Sequence, residues 1–225
     1  MNNTRLSLLK NTILATAGLV LFAFGIYLEL QADVGVAPWD SFALGLVNTF
    51  GIRYGTASIL ISVFVIGLDL LLRQPIGIGM ILDTVVVGKS VDLFNWLGWV
   101  PKCTNPVLIG ALLLLGMIFK GMSQYFYMKA ALGCGPRDSL FVGIGKRIKK
   151  IPVGFINMGI MATVTLIGWL LGGPIGIGTI VCAFLEGPIM QLCFRLVRFD
   201  ATGIRHQNII ESIKVLFRSG ERTSE

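Results

Sequence analysis

Six apolar runs of about 20 residues, the length a helix needs to cross the ~30 Å hydrocarbon core of a bilayer, leave this chain little choice of solvent. They lie at roughly 12–31, 54–72, 76–97, 106–129, 153–172 and 175–195. Inside lipid every backbone N–H and C=O must find a partner within its own segment or in a closed barrel, so runs this long predict helices. Hydrophobic residues fill 54% of the 225 positions and charged residues only 14%, which leaves no stretch for a separate water-soluble domain. The expectation is an all-α integral membrane protein.

The chain is also written twice. Gly35-Val-Ala-Pro-Trp-Asp-Ser41 returns as Gly133-Cys-Gly-Pro-Arg-Asp-Ser139, and Gln74-Pro-Ile-Gly-Ile-Gly79 as Gly173-Pro-Ile-Gly-Ile-Gly178, at offsets of 98 and 99. Each copy holds three predicted spans. Three is odd, so the second copy sits upside down relative to the first, the arrangement from which many transporters build a site at the repeat interface. The predicted fold is six transmembrane helices as two inverted three-helix repeats, each with a short re-entrant or interfacial helix.

The predicted organisation is a cytoplasmic N-terminus (1–11), membrane repeat 1 (12–97), an outer linker (98–105), membrane repeat 2 (106–197) and a basic cytoplasmic tail (198–225). In the tail Ile209, Ile210, Ile213 and Leu216 keep the spacing of an amphipathic helix on the inner leaflet. The first span follows Arg5 and Lys10 as the core of a signal peptide would, but it lacks a small-x-small cleavage site before Gly35 and is read as a retained helix.

Basic residues orient the spans. With the N-terminus inside, fourteen of the 19 Lys and Arg fall in inner segments and only Arg53 and Lys102 in outer loops, as the positive-inside rule requires. Both termini are then cytoplasmic, and the net charge of +7 is explained without nucleic acid. Cys103, Cys134, Cys182, Cys193 and the single His206 lack metal-ligand spacing, and no Ser/His or paired-Asp set points to an enzyme. Neither metal nor cofactor is expected.

Pro38 and Pro136 suit the first position of a helix, where a missing N–H costs nothing, and Asp40 and Asp138 then face the positive end of the macrodipole. They predict helices near 38–49 and 136–148, too short to span at 1.5 Å per residue. Trp39 suits the outer interface and Arg137 the cytoplasmic side. Pro38, Trp39, Asp40, Pro136, Arg137 and Asp138 are therefore gating candidates at opposite mouths of one cavity, although the two Asp suit a purely capping role as well. Pro-Ile-Gly-Ile-Gly reads as a tight hairpin, and Gly88 and Gly187 as the close contact between the third spans of the two copies.

An ionisable group at bilayer depth costs roughly 2.5–3.5 kcal/mol on insertion scales and by default faces a cavity or a partner. Lys89, Lys120 and Glu186 lie near span midpoints, and Asp92 lies one turn from Lys89. Together they predict a cluster that is either a structural polar network or a substrate, ion or proton site. Glu29, Asp69 and Asp83 fall near span ends and read as interfacial.

Gly-x-x-Pro-Trp-Asp at 35–40, Gly-x-Gly-Pro-Arg-Asp at 133–138 and Gly168-Trp-Leu-Leu-Gly-Gly-Pro-Ile-Gly-Ile-Gly-Thr179 follow in order within 12–197 and resemble the YczE/YyaS/YitT group of bacterial membrane proteins. The resemblance implies a multi-pass protein of the bacterial inner membrane and supplies no reaction. It also implies an Arg and a Glu in the helix before Gly168, where this chain has Gly154, Asn157 and Met161. The expected function is transport of an unknown small solute, by alternating access between the repeats. The alternative is an accessory protein that binds and regulates a partner protein through the basic inner loop 145–150 and the tail. Substrate and oligomeric state are not legible.

Overall fold

A computed structural model describes residues 5–148 and 153–199. Among them run eight helices and no strand: α1 (Arg5–Ala32), α2 (Pro38–Phe50), α3 (Tyr54–Leu71), α4 (Ile78–Leu97), α5 (Pro106–Ala130), α6 (Pro136–Arg147), α7 (Val153–Leu170) and α8 (Ile177–Leu196). Helices α1, α3, α5 and α8 are long and apolar enough to cross a membrane. Helix α4 is as long but carries Asp83, Lys89 and Asp92, and the apolar part of α7 is shorter, Phe155–Leu170. The chain is an α-helical membrane protein. The expected tail helix, with Lys149 and Lys150 of the basic loop, lies outside the described residues.

Local chemistry sets the helix ends. Pro38, Pro106 and Pro136 open α2, α5 and α6, and Asn105 adds a side-chain cap by accepting from the Val107 N–H at 2.9 Å. Gly51 and Gly98 close α2 and α4 in the left-handed conformation, their N–H groups donating to the Val47 and Phe94 carbonyls.

Helices α1 and α5 form the centre and run antiparallel, with Gly18 against Ser123 and Tyr127 and Gly25 against Gly116 and Lys120. A Cβ on Gly25 would sit 2.7 Å from the Gly116 oxygen, and one on Gly116 2.8 Å from the Gly25 oxygen. Lipid supplies no hydrophobic drive for helix pairing, so backbone approach at small residues provides the dispersion that holds the pair. This corrects one expectation: α4 and α8 do not pack on each other through Gly88 and Gly187. Helix α4 packs instead on α1, and α8 on α5.

Each half lends its short helix to the other. Helix α2 packs on α7, and α6 on α3. The duplicated motifs clasp crosswise as well: Gly178 N–H donates to the Val34 carbonyl at 2.8 Å, and Gly79 N–H to the Leu132 carbonyl at 2.9 Å. Gly35 and Gly133 turn the chain into these clasps at φ 99° and 121°, where a side chain would be strained. A Cβ on them would also meet Gly176 N at 2.6 Å and Gly77 Cα at 2.9 Å.

The halves differ in one contact. Helices α3 and α4 are sealed: a Cβ on Gly88 would lie 2.8 Å from the Gly55 oxygen, and the Gly55 N–H donates to Asp92 Oδ1 at 2.8 Å. Helices α7 and α8 make no comparable contact. Among the described residues nothing lies within 4 Å of a Cβ on Gly187, the counterpart of Gly88, and Gln191 stands where the first half has Asp92.

Candidate functional site

The first turns of α2 and α6 meet. Arg137 lies over the Trp39 ring, its guanidinium carbon 5.1 Å from the centroid, and its Nη1 is 3.9 Å from Asp40 Oδ1. Tyr54 at the start of α3 donates its hydroxyl to the same Asp40 oxygen at 2.7 Å, and Asp40 is 3% exposed. The six gating candidates are thus gathered at one place rather than at opposite mouths. Trp and Arg at equivalent positions stack on each other, so the difference between the motifs reflects this contact and not two membrane faces.

Beside this meeting point lies a buried ion triad. Lys120 Nζ is 2.8 Å from Glu29 Oε1 and 2.8 Å from Glu186 Oε1, joining α5 to α1 and α8. The Lys120 and Glu29 side chains are 3% and 1% exposed, and that of Glu186 is 36% exposed. Side chains of a helix lean toward its N-terminus, so in the antiparallel α1–α5 pair Glu29 and Lys120 lean toward each other. Glu29 is therefore fully buried and not interfacial. A sequence signal for it exists: Gly25 precedes Glu29 by four residues, and Gly116 precedes Lys120 by four.

Triad and short helices border a cavity of about 1020 Å³ between the halves. Lys120, Glu186, Asp40, Arg137, Asp138 and Asp83 line it. Asp83 was expected at an interface; instead its carboxylate and that of Asp138 flank Gly135, an oxygen of each 3.6 Å from a Cβ there. Asp69 is buried, at 0% exposure, rather than interfacial. Among the described residues neither Asp83 nor Asp138 has a basic group within 4 Å. Lys89 and Asp92 do not join the site. Lys89 is exposed on the outside of α4, and Asp92 is spent on capping α3.

Chemically the site is a set of linked ion pairs. Glu29 holds Lys120 from the buried side, which leaves Glu186 as a cavity-facing carboxylate. Of the residues singled out in the sequence, the structure brings Lys120, Glu186 and the two Pro-x-Asp motifs together; Glu29, Tyr54 and Asp83 stand with them but are not among those candidates.

Comparison with known proteins gives the lineage. The chain is 35% identical over 178 residues to the uncharacterised membrane protein YczE of Bacillus subtilis (strain 168), covering 78% of this chain and 81% of that one. It is 29% identical over 187 residues to an uncharacterised protein of Haemophilus influenzae, covering 81% and 84%, and 26% identical over 188 residues to the uncharacterised protein YyaS of B. subtilis, covering 80% and 90%. No solved structure gives a significant match. The family of unknown function DUF6198 matches residues 9–195, from near the start of α1 to the end of α8. The chain belongs to that family.

Proposed function

We propose that the protein is a transporter of the bacterial inner membrane that moves a small solute by alternating access between two inverted halves. Each half contributes three spans, α1, α3 and α4 or α5, α7 and α8, and one half-length helix, with both termini cytoplasmic. The antiparallel course of α1 and its counterpart α5 supports the inversion. The observation that carries the reading is the meeting of two short-helix N-termini at a charged cavity.

From that point α2 and α6 run to opposite ends of the molecule. Asn48 and Thr49 near the end of α2 donate to the Gly172 and Leu171 carbonyls after α7, at 2.7 and 3.0 Å. Arg147 at the end of α6 donates to the Leu71 carbonyl at the close of α3, at 3.3 Å. Broken helices whose N-termini face a central site are the usual construction of such transporters. A rocking motion that parts one of these end contacts while keeping the other opens the cavity to one side at a time.

Flux through the reconstituted protein tests the reading. Proteoliposomes preloaded with a panel of radiolabelled amines, carboxylates and sugars are expected to show saturable, protein-dependent counterflow for at least one member. Glu186→Gln should reduce it about tenfold or more, the equivalent of ~1.4 kcal/mol. Counterflow that survives both Lys120→Met and Glu186→Gln would contradict a role for the triad in transport.

A further inference from the structure

Among the described residues the cavity is not closed on all sides by protein. Met161, Ala162 and Thr165 of α7 line it from one side, and Ala183, Glu186 and Gly187 of α8 from the other. Between these helices there is no seal like the Gly55–Gly88 contact of α3 and α4. Phe184 and Trp169, 73% and 60% exposed, stand at the rim and also line the cavity. A gap between two long helices lies along their sides, where a membrane protein meets acyl chains.

Charge fixes what kind of solute such an opening suits. Four carboxylates line the cavity, those of Asp40, Asp83, Asp138 and Glu186, and Glu29 stands behind Lys120. Against these five are two cations, Lys120 and Arg137. A site with this formal excess favours a positive ligand and opposes a negative one. Aromatic rings of Phe22, Phe141 and Tyr127 add faces on which an organic cation stacks. Three buried polar atoms of the wall have no partner among the described residues: the Trp39 indole nitrogen, the Tyr127 hydroxyl and the Asn157 side-chain oxygen. Buried groups left unpaired are costly, and the Tyr127 and Asn157 oxygens can turn a lone pair toward a bound positive charge. The volume lies at the upper end of what holds a drug-sized molecule.

We propose, resting on the transport reading above, that the cavity takes a lipophilic organic cation laterally from the bilayer, between α7 and α8, and holds its charge against Glu186, Asp138 and Asp83. Glu186 is the carboxylate a cation reaches first on passing Gly187, one residue away on α8. On binding, the ligand's charge replaces the Lys120 ammonium at Glu186, and Lys120 keeps Glu29.

Tetraphenylphosphonium is the probe, and tetraphenylborate, of nearly the same shape and opposite charge, is its control. With the full-length protein in lipid nanodiscs, calorimetry is expected to give saturable binding of tetraphenylphosphonium, one per chain, and only unsaturable partitioning of tetraphenylborate. Glu186→Gln and Asp138→Asn should each weaken binding about tenfold or more, or ~1.4 kcal/mol. Gly187→Trp fills open space, so it should leave the fold intact and abolish or greatly slow binding. Lys89→Gln, outside the cavity, should change nothing. Equal binding of the two probes overturns the proposal, as does full binding by the Gly187→Trp protein. Disulfide capture of two copies through Phe184→Cys would show a second copy covering the opening, and overturns lateral admission. Charge-selective binding without protein-dependent flux of the probe in proteoliposomes upholds the site and overturns transport. Flux of another solute without charge-selective binding does the reverse.

Discussion

Lys120 holds two carboxylates at equal distance, yet their surroundings differ. Glu29 is sealed between α1 and α5, whereas Glu186 faces the cavity. Removing one partner of a buried pair strands the other charge and costs about 3–5 kcal/mol, while a solvent-reachable ion pair is worth ~0–1 kcal/mol. Lys120→Met is therefore expected to lower the unfolding stability of the purified protein by about 3–5 kcal/mol, and Glu186→Gln by less than ~1 kcal/mol. Thermal unfolding followed by tryptophan fluorescence checks the ranking, and equal losses would make Glu186 part of the scaffold. Depth along a span was enough to mark Lys120 and Glu186 from sequence. It also marked Lys89 wrongly, because depth says nothing about face. Gly88 is turned into α3, so its neighbour, about 100° further round the helix, points away from the interior. Glu29 escaped for the opposite reason: it lies near a span end, and only the glycine spacing on two helices distant in sequence brings it to Lys120.

Among the elements, the pair α3–α4 and its counterpart α7–α8 share a connecting motif and equivalent glycines but not a packing mode. A Cβ at position 88 overlaps the α3 backbone, and relief of such overpacking typically costs 1–3 kcal/mol. At position 187 a methyl group meets nothing, while alanine gains up to ~1 kcal/mol in helix propensity over glycine. Gly88→Ala is thus expected to lower the midpoint of thermal unfolding, and Gly187→Ala to leave it unchanged or raise it. The opposite ranking would mean that α7 and α8 close in the membrane as α3 and α4 do. Both short helices were legible, since proline at the first position and aspartate in the first turn are local signals. Their meeting was not, because repeated motifs reveal that two copies exist but not whether they lie together or apart. The α7–α8 gap was hidden for a related reason: Gly187 repeats Gly88, and the loss of the Asp92 cap at Gln191 shows only once the α3–α4 contact has been seen.

At the scale of the whole molecule, two halves clasp each other through reciprocal backbone bonds, Val34 to Gly178 and Leu132 to Gly79, and border a shared cavity. The duplication and the positive-inside count pointed to such an assembly. Which helices form its centre depends on close glycine approaches between α1 and α5, residues far apart in the chain, and that no local pattern announces. The central claim is that this cavity opens in turn to the two sides of the membrane. Ser58 of α3 lines it and is 3% exposed, so Ser58→Cys changes little in shape. With Cys103, Cys134, Cys182 and Cys193 first replaced, a membrane-impermeant maleimide is applied to right-side-out and to inside-out vesicles. The account predicts that the cysteine at position 58 is labelled in both preparations, and labelling from one side only, or from neither, would contradict it.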